Sequence, residues 1–169
     1  MVRNRKFAVG LIFIIFLAVG LGLGIYMALK PRSPIPGNIH KQLTFQPYIV
    51  KDSSLKVEDK TYKYDAPQKT FSYVVSGAGF GKLTISQQAT PQSFIDIPDL
   101  YEKLVDSLNR YGAFQNQFGT VYLTKPDGQK SGQTAVVNSS GVLMFIRSEK
   151  DLSDDQWRSI FTRISLEKS

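Results

Sequence analysis

Cysteine is absent, and histidine and tryptophan occur once each, as His40 and Trp157. Without cysteine the chain has no disulfide framework, no zinc–thiolate site and no thiol nucleophile, and a lipid-modified cysteine anchor is excluded. Exported bacterial proteins often avoid cysteine, whereas small animal ectodomains use it for staples, so the absence favours a bacterial envelope protein. The single histidine lies in a proline-rich stretch and reads as a solvated linker residue, which leaves the common hydrolytic triads without a base. Acidic residues are few, 14 against 21 basic, for a net charge of +7. Four of the basic residues (Arg3, Arg5, Lys6, Lys30) and no acidic one fall within residues 1–30, so the remainder is 17 against 14. That remainder is only mildly basic and has no Lys/Arg block, so no nucleic acid partner is expected.

What the chain does have is one uncharged apolar run, Phe7 to Leu29. As a helix its 23 residues reach about 34 Å, enough to cross the ~30 Å hydrocarbon core of a bilayer with some tilt. The run is too long for a secretory signal, and its exit, Tyr26-Met27-Ala28-Leu29, offers no small-x-small cleavage site. It reads as an uncleaved signal anchor in the plasma membrane. Arg3, Arg5 and Lys6 precede it and Lys30, Arg32 and Lys41 follow, so the positive-inside rule is nearly tied. A short basic tail before a first apolar segment favours a cytoplasmic N-terminus and an extracytoplasmic C-terminal domain. Within the run, Gly20 and Gly24 have the small-xxx-small spacing of a helix-packing face, although glycine is common in membrane helices for other reasons.

The organisation that follows is a basic tail (1–6), a transmembrane helix (7–29), a proline-rich extended spacer (30–42) and a domain (43–169). The domain opens with strand-like patterns at 43–50, 61–65, 70–76 and 82–88, the last two joined by Gly77-Ala78-Gly79 as a hairpin. Helical spacing then runs from Ile97 to Tyr111, with Pro98 in the first turn and Gly112 as the stop. Further strands are expected at 120–124, 133–137 and 142–147, with turns at Lys125–Gly128 and Asn138–Gly141. Ser153-Asp154-Asp155-Gln156 is a capping box opening a last helix whose apolar face is Trp157, Ile160, Phe161 and Ile164. This order predicts an α+β fold of two layers, an antiparallel sheet with both helices packed on one face.

Several patterns invite a chemical reading and yield a plainer one. Gly77-Ala-Gly-Phe-Gly81 looks like a phosphate loop, but it leads into a strand rather than a helix N-terminus. Ser-x-x-Lys occurs only as Ser53–Lys56, in a loop. Asp154 and Asp155 suit the positive end of a helix, and Asp96, Asp99 and Glu102 have nothing nearby to complete a metal shell. Tyrosines are numerous (Tyr48, Tyr62, Tyr64, Tyr73, Tyr101, Tyr111, Tyr122), which suits either a recognition surface or sheet packing. No catalytic residue, cofactor or metal ligand is assigned.

Leu43–Val50, Leu83–Pro91 and the terminal strand followed by Asp151-Leu-Ser…Ile164 resemble small single-pass envelope proteins of bacteria with reduced genomes, such as the Saccharibacteria. Their extracytoplasmic domain is similar to domains of unknown function attached to bacterial anti-sigma and sporulation membrane proteins. Where that pattern has a Leu-Pro-x-Gly turn, this chain has Asp52-Ser53-Ser54-Leu55. The resemblance implies no active site. The expectation is a membrane-anchored, non-catalytic extracytoplasmic domain binding a protein or envelope polymer. The alternative is a ligand-sensing ectodomain acting through a membrane partner, and a hydrolase ranks third.

Overall fold

The computed structural model describes residues 33–126 and 132–167. The apolar run 7–29, with Gly20 and Gly24, lies outside them, as do Asp127 and Gly128 of the expected turn. Among the described residues no helix is long and apolar enough to cross a membrane. The compact unit that holds the elements below starts at Pro34. Its elements are α1 (Gly37–His40), β1 (Tyr48–Val50), β2 (Leu55–Val57), β3 (Lys63–Asp65), β4 (Thr70–Gly77) and β5 (Gly81–Ala89). There follow α2 (Ser93–Asp96), α3 (Leu100–Ser107), β6 (Arg110–Asn116), β7 (Gly119–Thr124), β8 (Gln133–Ser139), β9 (Val142–Ser148), α4 (Asp154–Thr162) and β10 (Ile164–Leu166).

Eight strands form one antiparallel sheet in the order β2-β4-β5-β9-β8-β7-β6, with β3 sharing the outer edge of β4 with β2. Strand alternation sorts the side chains onto two faces. The front face carries Phe71, Tyr73, Val75, Leu83, Ile85, Met144, Ile146, Ala135, Val137, Val121 and Leu123. Against it pack Trp157, Ile160 and Phe161 of α4, each at most 1 % exposed. Burying a side chain of that size contributes roughly 1.5–3 kcal/mol relative to leaving it in water. The back face carries Tyr122, Val136 and Leu143, and Val105 of α3 packs there with Phe94, Tyr101 and Leu108.

The two longer helices therefore lie on opposite faces, which corrects the expectation of both on one face. The cause is topological. β5 pairs with β9, so the chain leaving β5 must cross β9, β8 and β7 to begin β6 on the far edge, a span of about 19 Å at ~4.8 Å per strand. The segment holding α2 and α3 makes that crossing over the back face, whereas α4 follows β9 onto the front.

Helix boundaries also differ from expectation. Ile97, ahead of Pro98, is extended (φ −114°, ψ 112°), so the helical stretch breaks into α2 and α3. α3 stops at Leu108 because Asn109 takes a left-handed conformation (φ 59°), a role asparagine tolerates. Gly112 lies instead in β6 opposite Leu123, beside a bulge. Ile164, read as helical, belongs to β10. The two expected hairpin turns are present: Gly79 (φ 85°) and Gly81 (φ 74°) close β4–β5, and Ser140 (φ 51°) and Gly141 (φ 75°) close β8–β9.

The capping box forms in both directions. The Gln156 N–H donates to Ser153 Oγ (3.3 Å) and the Ser153 N–H donates to Gln156 Oε1 (2.9 Å). The Gln156 side chain also donates to Gly79 O (3.0 Å), tying the helix start to the β4–β5 hairpin. Ser153→Ala is expected to lower stability by about 1 kcal/mol with the fold retained, as read by chemical denaturation.

Candidate functional site

From Pro34 the chain runs against the domain rather than away from it. Ile35 and Ile39 are buried in the front-face core, so the described part of the stretch read as a spacer is anchored, and α1 presents His40. After a loop over 41–47 the chain enters β1, which pairs antiparallel with β10 (Tyr48↔Leu166, Val50↔Ile164). Strand structure begins only after Pro47, which has no N–H to contribute to a ladder.

Two strands of three residues have too few ladder bonds to hold themselves, and a side chain of the main sheet seats them. Gln87, on the front face of β5 and fully buried, accepts from the Tyr48 N–H (2.6 Å) and donates to Tyr48 O (2.9 Å). The Tyr73 hydroxyl donates to the same carbonyl (3.0 Å), and burial pushes its pKa well above the usual tyrosine range. Residues adjoining the ribbon are fixed in turn. The Glu167 N–H donates to Pro47 O (2.8 Å), and the Gln46 side chain donates to the Glu167 carbonyl.

This arrangement forms a cleft of about 430 Å³ between the 40–47 segment and the end of the ribbon. Its apolar wall is Leu43, Phe45 and Pro47, and Thr44 and Gln46 stand exposed beside it. Glu167 completes the lining, a residue only 5 % exposed and the one buried acidic residue among the described residues. Its Oε2 lies 3.3 Å from His40 Nε2, while Oε1 is shut off from water and has no hydrogen-bond partner among the described residues. The charge is felt nearby: desolvation, then the Glu167 carboxylate, raises the pKa of Tyr62. His40 is thus not the solvated linker residue expected. Its ring faces a buried acid, although half of the side chain is exposed.

The other positions singled out in the sequence fall elsewhere. Ser53 and Lys56 are exposed at the start of β2. The Asp52 carboxylate accepts from the Ser54 N–H (2.7 Å), which lowers its pKa and makes Asp52–Leu55 a turn in its own right. Asp154 and Asp155 sit in the first turn of α4, and the described residues contain no group of three metal-ligating side chains. Tyr48, Tyr73 and Tyr122 are buried and packed, which answers much of the tyrosine content, and among the described tyrosines Tyr111 is half exposed. A second hollow of about 300 Å³, bounded by Lys60, Lys63 and Thr84, holds none of the unpartnered buried groups.

No family model, curated protein or solved structure matches the chain. Glu167 was missed from the sequence because no motif surrounds it. Gln87→Leu removes both contacts to Tyr48 and leaves a buried N–H unpaired. The expected loss is about 2–3 kcal/mol in chemical denaturation, with faster exchange of ribbon amides than of β8–β9 amides.

Proposed function

We propose that the protein is a single-pass, membrane-anchored domain that binds a protein or envelope component outside the plasma membrane and does not catalyse a reaction. The Phe7–Leu29 run carries this reading: an uncharged segment of hydrocarbon length in the sequence. The cleft supports a binding role, since it joins an apolar wall to one convergent charged group. Gly20 and Gly24 are the positions proposed for any packing against another membrane helix.

The same cleft favours a second reading, a ligand-sensing ectodomain, because about 430 Å³ suits a small molecule. In this reading the ectodomain signals through a membrane partner. A specific metabolite then raises the melting temperature by mass action, which a protein-binding domain does not require.

Orientation is tested by adding protease to intact and to lysed cells and following a C-terminal epitope. The expected result is cleavage wherever protease reaches the outer face of the plasma membrane. Protection until lysis places the domain in the cytoplasm and overturns the extracytoplasmic assignment.

A further inference from the structure

Glu167 poses a chemical problem that the fold leaves open. A carboxylate taken out of water needs partners for both oxygens, and one without them costs several kcal/mol. Oε2 faces His40 at 3.3 Å, and Oε1 faces nothing that donates among the described residues. The carboxylate lines a cleft whose remaining surface includes Leu43, Phe45 and Pro47.

We propose that this cleft binds the side chain of a lysine presented by a peptide segment of a partner protein, with the ammonium donating to Glu167 Oε1. The inference deepens the binding reading above but does not depend on which side of the membrane the domain faces. Three features select lysine. An ammonium is a compact charge satisfied by a single acceptor, whereas a guanidinium fork is matched by two free carboxylate oxygens, and His40 already engages one. A divalent metal requires a shell of oxygen ligands that no group of acids among the described residues supplies. The apolar wall suits a four-carbon stem, which lysine buries while its head reaches a charge.

Access is provided at the rim. Thr44 is exposed at the rim, and in this proposal its side chain turns aside to admit the ammonium to Oε1 while His40 keeps Oε2 and Gln46 keeps the Glu167 carbonyl. The exposed Thr44 hydroxyl and the Gln46 side-chain oxygen, whose amide nitrogen stays on the Glu167 carbonyl, are available to the peptide backbone beside the bound lysine.

The test uses the full chain in detergent micelles, with amide chemical shifts followed by NMR. The probes are Nα-acetyl-lysine methylamide, the norleucine analogue that lacks the amine, and the arginine analogue. The lysine probe is expected to give saturable shifts at Phe45 and Glu167, with norleucine and arginine at least about tenfold weaker. Glu167→Gln is expected to abolish the lysine response. Equal binding of lysine and norleucine, equal or tighter binding of arginine, or no saturable response at roughly ten-millimolar probe overturns the proposal. So does an undiminished lysine response in a folded Glu167→Gln variant. The comparison of probes is made on the unaltered chain, so it decides the matter even if that variant fails to fold. Failure here leaves the orientation assay unaffected, which separates this inference from the broader binding reading.

Discussion

The Gln87 side chain, bonded at both ends of its amide to the backbone of Tyr48, is the contact on which the front of the molecule depends. It acts as an extra rung of ladder running out of the sheet plane, from β5 to a ribbon too short to hold its own place. Because the site is dry, each bond is stronger than its exposed counterpart, and losing one partner strands the other. Around this rung Tyr48 and Tyr73, each at most 2 % exposed, close the core, and Pro47 and Glu167 meet at one end of the ribbon. The cleft is in this sense a consequence of how the ribbon is seated.

A similar device works at the other end of the front face. Gln133 Oε1 accepts from both the Leu152 N–H (2.9 Å) and the Trp157 indole (2.8 Å), which fixes the approach to α4 just before its capping box. Two glutamines pointing into an apolar face thus attach the two coverings of that face, the ribbon and the helix. Both side chains are buried and each makes two hydrogen bonds, Gln87 through its oxygen and nitrogen and Gln133 through its oxygen twice, and such contacts in a core help to specify one arrangement.

Local signals were legible in the sequence and long-range ones were not. The Ser153–Gln156 box, the Gly77–Gly81 hairpin and the Asn138–Gly141 turn each lie within a few residues, and each is present. The two-sided burial of β8 and β9 was also written in the chain, as the unbroken runs Ala135-Val136-Val137 and Val142-Leu143-Met144, where β4 alternates strictly. Those runs imply cover on both faces, and weighing them against the helix count would have placed the helices on opposite sides. The partners of Gln87, Gln133 and Glu167 are 39, 24 and 127 positions away at Tyr48, Trp157 and His40, and no local pattern announces them. The cleft therefore belongs to the tertiary structure alone.

The cleft is a preformed site only if the ribbon that carries it is part of the cooperative core. Hydrogen exchange of the full chain, read amide by amide, measures this directly. The Tyr48 N–H, bonded to Gln87, and the Glu167 N–H, bonded to Pro47, are predicted to exchange as slowly as those of Met144 and Ile146 in the central strands. Exchange of Tyr48 and Glu167 at loop-like rates, with Met144 and Ile146 still protected, would mean that the ribbon opens independently and that the cleft is not a preformed site.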